Sequence, residues 1–504
     1  MASKQFTIPY GVPPLTPAET KLRDQMNAGR APWVDPSNAG KPWSSETALA
    51  ELRYCLQIAV TIELATIPVY LYTYYSINRT IGDSTTPAGF PNSDVSRFAD
   101  RAGAVIMSVA VEEMLHMSLS SNVLFSLGQA PQLYQQSPGP YPTNLPGHAR
   151  LGPDHRPLQI PLSRFSAEHL WNFLEIEYPA VADAPPEGEN WETIGQIYSY
   201  VRCIISTDWI SDADFRAGDT GHQIQPTNYA PNNIDGVYPR ASFDKANPVP
   251  APAPGSAASV AVFTSREDSH VGPTQLLTVQ SREDAMRAIA TICFQGEGFD
   301  HTRFDDPRDQ ELSHYYKFLT LQSELEGYPF SRRGEPLPEQ PPPPPPASRQ
   351  YSEAELATFV VGFPDNPVAR DYPAGYCEVA NLASGLYQYM LIMTETIFRV
   401  PPDQQKTFFN QTMHMSMIWI LDKFIQSMRT VAIGGGEYGG TFLAPTFENY
   451  DLGTRQQAFA KLKKLGETVH ETCKDAPWYK HAGLDGYVTM ISQLPDVSGY
   501  WAEC

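Results

Sequence analysis

Two short stretches carry residue types that bind metal: Glu113-Met-Leu-His116 and Glu311-Leu-Ser-His314. A glutamate and a histidine three residues apart on a helix project from one face. Around the first pair the sequence is strongly apolar, and a carboxylate there is costly unless something neutralises it. A divalent metal does so, and carboxylate oxygen with imidazole nitrogen suits iron, manganese or zinc. With 29 Glu and 11 His in 504 residues, random placement gives fewer than one Glu-x-x-His pair; the chain has four, one of them (Glu267-x-x-His270) in the loop-like stretch 208–272. The last, Glu467-x-x-His470, follows Lys461, Lys463 and Lys464 and reads as a solvated helix face.

Single carboxylates sharpen the pattern. Glu63 is the one charged residue between Arg53 and Arg79, in an apolar segment ahead of the first pair. Glu297, in CFQGEGFD, ends the segment ahead of the second. Glu on one helix and Glu-x-x-His on the next, repeated once, is the ligand set of carboxylate-bridged di-metal four-helix bundles. Glu63, Glu113, His116, Glu297, Glu311 and His314 are the expected ligands, and six ligands leave positions open for dioxygen and substrate. The competing reading is of buried acids hydrogen-bonded to the many tyrosines. Glu112, four residues before His116, satisfies the spacing as well as Glu113 does. Glu177, in FLEIEYPA, reads as a further ligand, a partner standing behind the ligands, or a plain helix-end acid. Tyr70 and Tyr74 share the face of Glu63, where they pack or line a pocket. Cys293 and the stretch Thr412–Met417 read as core packing.

These residues need helices to hold them. Apolar periodicity places long helices at 46–76 and 93–127, the first capped by Ser44 or Ser45 and kinked at Pro68. Shorter ones are expected at 166–178, 192–207, 281–298, 307–326, 352–362, 376–398, 402–431 and 453–475, and strand signals are weak throughout. Residues 1–45 read as an arm across the core, 46–330 as the metal-binding bundle with a loop excursion at 208–272, 331–350 as a polyproline spacer, and 351–504 as a second helical subdomain.

Composition narrows the class. The chain is 42% hydrophobic and 18% charged, enough to bury a large core. A net charge of −20 argues against a nucleic-acid surface, which needs clustered Lys and Arg. The N-terminus shows no secretory pattern, no run of about 18 uncharged apolar residues suggests a membrane span, and six scattered cysteines without Cys-x-x-Cys read as reduced thiols. The expectation is a cytoplasmic protein. Walker, dinucleotide and nucleophile-elbow motifs are lacking.

The segments LQIAVTIELATIPVYLYTYYSI, VEEMLHMSLSSNVLFSLGQAP, FLEIEYP and QGEG followed by ELSHYYKF together resemble the ferritin-like domain of iminophenylpyruvate dimer synthases, enzymes of violacein and rebeccamycin assembly. The likeness spans roughly residues 47–325. It implies an all-α, ferritin-like four-helix bundle, here extended by C-terminal helices. It also implies metal-ligand roles for Glu63, Glu113, His116, Glu297, Glu311 and His314, with Glu177 on a further carboxylate of the pattern. The activity it implies is a non-haem di-metal oxidase or oxygenase, with two irons (or manganese or zinc). Dioxygen would oxidise or couple a small amino-acid-derived or other specialised metabolite. The alternatives are a ferroxidase or metal-storage protein, and a non-enzymatic helical scaffold.

Overall fold

The computed structural model describes residues 12–79, 94–149, 158–181, 183–226, 276–296, 313–326 and 351–502. Among these the structure is helical, and extended segments pair only at isolated bridges. The polyproline stretch and most of the 208–272 excursion lie outside the described residues, as do Glu297 and Glu311.

The N-terminal segment is more than an arm. Helix α1 (Pro17–Asn27) opens with a reciprocal cap between Thr16 and Glu19 and packs on a later helix through a buried pair, Arg202 to Glu19 at 3.2 Å. It escaped detection because Glu19 and Met26 are its only buried residues, so no apolar stripe marks it.

Helices α2 (Ser45–Tyr75) and α3 (Asp94–Ser126) are the two long rods. Ser44 is the residue that caps α2: its hydroxyl accepts from the Thr47 N–H at 3.2 Å, and Thr47 Oγ1 accepts from the Ser44 N–H at 2.8 Å. Such a cap is worth about 1 kcal/mol. The helix continues through Pro68. The Leu64 carbonyl, which loses its N–H partner to the proline ring, accepts instead from the Ser137 hydroxyl at 3.2 Å, and the Ala65 carbonyl accepts from Tyr141 at 3.0 Å. The two rods run antiparallel: Arg53 donates to the Leu127 carbonyl near one end, and Thr66 to Glu113 further along. Both are long and apolar enough to cross a membrane, which the sequence reading did not anticipate. Their most apolar windows are 78% and 89% buried within the protein, as core helices are.

The other two rods of the bundle are each in two pieces. Helix α4 (Ala167–Ile176) and α5 (Ile194–Ile205) form one; α6 (Arg282–Gln295) and α7 (His314–Glu326) form the other. α4 packs on α7 and α5 on α6, as expected when two interrupted rods lie antiparallel. The second interruption is closed by one backbone hydrogen bond, from the His314 N–H to the Gly296 carbonyl at 3.0 Å.

Beyond the bundle come α8 (Glu353–Phe359), α9 (Tyr376–Ile397), α10 (Gln405–Phe409), a π-helical stretch (Asn410–Asp422), α11 (Lys423–Met428), α12 (Ala458–Cys473), α13 (Pro477–His481) and α14 (Leu484–Ile491). In the π-helical stretch Thr412, Met413 and Ser416 are buried, in line with core packing. These C-terminal helices grip α2: Arg429 donates to the carbonyls of Tyr75 and Ile77 at 2.8 and 2.9 Å, and Tyr72 donates to the Pro364 carbonyl.

Candidate metal centre

The interruptions of the third and fourth rods fall at the level of Glu63 and Glu113, and this is what assembles the site. α2 contributes Glu63, α3 contributes Glu112, Glu113 and His116, the end of α4 contributes Glu177, and the start of α7 contributes His314. All six are at most 3% exposed. Of the expected ligands, Glu63, Glu113, His116 and His314 meet in one interior, joined by Glu177; Glu297 and Glu311 lie outside the described residues.

The distances are short. His314 Nδ1 lies 2.8 Å from Glu113 Oε1 and 3.4 Å from Glu177 Oε2, while its Nε2 lies 2.9 Å from Glu112 Oε2. His116 Nδ1 lies 3.7 Å from Glu113 Oε1 and 3.9 Å from Glu63 Oε2. The two imidazoles stack, with centroids 5.2 Å apart and planes at 23°. The carboxyls of Glu63 and Glu113 lie against each other within hydrogen-bond reach.

Surrounding groups hold these donors in place. Tyr198 donates to Glu63 Oε1 at 2.7 Å, Thr66 to Glu113 Oε2 at 2.6 Å, and Tyr70 to Glu177 Oε1. His116 Nε2 pairs with Gln295 Oε1 at 3.1 Å. With the amide oxygen accepting, that contact puts the ring proton on Nε2 and turns the Nδ1 lone pair toward Glu63 and Glu113, as an oriented ligand requires. Tyr70 reaches a site carboxylate, whereas Tyr74 pairs with Arg79 at the far end of α2. Sequence reasoning missed Tyr198, Gln295 and Lys317. Lys317 alone left a signal: a lone cation three residues after His314 in an apolar run requires a buried acid.

Charge in this interior is crowded. Burial, and then the charge of Glu113, pushes the Glu63 carboxyl well above the usual range; burial also raises Glu177. Against the effect of burial, His314 holds Glu113 down at about 2, and Lys317 holds Glu112 there. Burial lowers His116 to about 4. His314 goes the other way: burial opposes its charge, but Glu177, Glu112 and Glu113 raise it well above an ordinary histidine. In the metal-free chain, an imidazolium supplies the positive charge that three carboxylates demand.

The donor set fits a metal. One atom each from Glu113, His116 and His314 lies within 4.8 Å of the others. Both nitrogens of His314 are within 2.9 Å of a carboxylate oxygen, yet neither is aligned for a hydrogen bond. Carboxylates and imidazoles crowded without mutual alignment are what a shared cation would organise. Glu63, Glu113, His116 and Glu177 line a cavity of about 20 Å³ together with Ile194, Gly195, Tyr198, Ile292, Cys293 and Gly296. That is room for about one ion or water. By contrast, Glu467 and His470 of the last Glu-x-x-His pair are both exposed on α12.

The ferritin-like family profile matches residues 56–323, more than half of the chain, and the chain belongs to the ferritin-like family. Among solved structures it is similar to a ferritin-like protein from Caulobacter vibrioides, at 18% identity over 73% of this chain and 95% of that one, with a TM-score of 0.38. A comparison with curated proteins finds no match. Fold and family together define an all-α, ferritin-like protein with a buried Glu/His cluster able to hold metal.

Proposed function

We propose that this protein is a non-haem di-metal oxidoreductase, with iron as the metal, that uses dioxygen to oxidise or oxidatively couple a small amino-acid-derived or related specialised metabolite. The observation that carries the reading is the contact between the Glu63 and Glu113 carboxyls, flanked by stacked His116 and His314. Two acids side by side in a dry interior cannot both ionise without a cation between or beside them. Glu63, Glu113, His116, Glu177 and His314 are the described residues that would hold the metal, with Glu297 and Glu311 completing the set by sequence pattern. When bound, a pair of such ions supplies Lewis acidity and the redox change that dioxygen chemistry needs. The chain's own residues orient and insulate. Gln295 fixes the His116 tautomer, Tyr198 and Thr66 hold the two acids, and Ile194 and Ile292 keep water from the cavity. Scattered cysteines, none of them in a disulfide among the described residues, accord with a cytoplasmic setting.

The test is iron loading under anaerobic conditions, then exposure to air with and without amino-acid-derived imines. The expected result is two irons per chain and dioxygen consumption that depends on the organic molecule. Purified protein that binds no iron would overturn the reading. The small cavity favours a second reading, a ferroxidase, because the described walls admit an ion or a diatomic but no organic molecule. Iron oxidation at full rate, with mineral growth and no response to any organic co-substrate, would select it.

A further inference from the structure

Two adjacent glutamates, Glu112 and Glu113, face the same interior, and either satisfies the spacing to His116. The structure separates them. Glu113 contacts Glu63, approaches both histidines, and has an oxygen among the three clustered donors. Glu112 has both oxygens against the ammonium of Lys317, at 2.6 and 2.5 Å, and this ammonium also reaches Ser108 Oγ at 3.3 Å. Lys317 is 6% exposed and Glu112 is 2% exposed, so the pair is shielded from solvent. Among the described residues, Lys317 is the one lysine or arginine that touches the site's carboxylates.

We propose that Lys317 is the positioning residue that decides which glutamate serves the metal: it occupies Glu112 and leaves Glu113 free. This rests on the reading of the site as a metal centre. The argument is one of competing cations. An ammonium with two contacts at hydrogen-bond length, in an interior of low effective dielectric, holds a carboxylate strongly. Both oxygens of Glu112 are so held, and Glu112 is not among the cavity's lining residues. Lys317 sits one helical turn after His314 on the same face of α7, so one helix supplies both a metal donor and the counter-ion of the rejected acid. Glu112 Oε2, placed between Lys317 and His314 Nε2, also limits how the imidazole turns, leaving Nδ1 toward Glu113 and Glu177.

Cobalt(II) titration of the full chain tests this, reading both affinity and the visible absorption band. In Lys317→Met, Glu112 is released beside the metal, so cobalt should bind about tenfold or more tightly, with a changed band. An added unit charge a few ångströms away is worth at least that factor. In the double variant Glu112→Gln/Lys317→Met no acid is freed, and both affinity and band should return to those of the unaltered chain. Circular dichroism checks that each variant keeps its helices. If only Lys317→Met fails to fold, Lys317→Gln replaces it, with the same expectation. Unchanged affinity and band in the single variant would overturn the proposal, as would an altered band that persists in the double variant. Failure of the unaltered chain to bind cobalt, iron or manganese would overturn the metal reading itself, and this inference with it.

Discussion

Two buried acids on two apolar helices show what separates a structural carboxylate from a reactive one. Glu395, on α9, is 3% exposed. It accepts from the backbone N–H of Leu133 at 2.6 Å and of Tyr134 at 2.9 Å, and from two nitrogens of Arg455. Its charge is fully answered, and it ties the C-terminal helices to the loop that carries Ser137. Glu63, on α2, is as deeply buried but faces Glu113, with the Tyr198 hydroxyl donating to its Oε1. The first acid holds the molecule together. The second raises the energy of the metal-free chain and awaits a cation, in keeping with the stability given up at functional sites.

The sharpest way to break this comparison is to delete a donor. Glu63→Ala or His116→Ala should weaken iron binding by more than about 100-fold, beyond the loss typical of an outer partner, and abolish dioxygen consumption, with helicity kept; full metal content in both variants would refute the contrast. Next in size, Glu395→Ala strands Arg455 and two backbone N–H groups and should destabilise the chain by about 3 kcal/mol. Chemical denaturation measures that cost, while iron per folded chain should stay the same. Conversely, Glu63→Leu should stabilise the metal-free chain by on the order of 1 kcal/mol, a change of opposite sign in the same assay.

Acidity separates the two regions further. The folded pKa of His314 is raised, so this residue favours the folded metal-free chain at low pH, and that contribution fades as pH rises through its pKa. Metal must displace that proton, so iron should bind more tightly as pH rises, releasing protons that calorimetry in buffers of different ionisation enthalpy can count. Glu112 and Glu113, held at about 2, contribute stability above the ordinary glutamate range that is lost as pH falls toward 2. The smallest effect is expected on α12, where His470→Ala should leave metal content and activity untouched; a change there would show that exposure is a poor guide.

Much of the bundle was legible because α2 and α3 are apolar over more than thirty residues each, and periodicity reports such segments well. The charged residues inside them were conspicuous for the same reason. The split rods were harder to see. Pieces of ten to fourteen residues read as separate short helices, and nothing local says that α4 continues into α5 or α6 into α7. Gln295 and Tyr198 carry no charge to mark them, so their contacts with His116 and Glu63 appear only when distant segments meet. Glu112 and Glu113 could not be told apart by spacing, since both fall on the inward face; the ammonium from α7 makes the difference.

The hydrogen bond that joins His314 to Gly296 has an evolutionary meaning. The end of one helical piece and the start of the next are held in register by backbone alone, so Gln295 and His314 keep their spacing whatever side chains surround them. Substitutions elsewhere in the bundle can therefore accumulate while the amide that pairs with His116 and the imidazole that stacks on it keep their places.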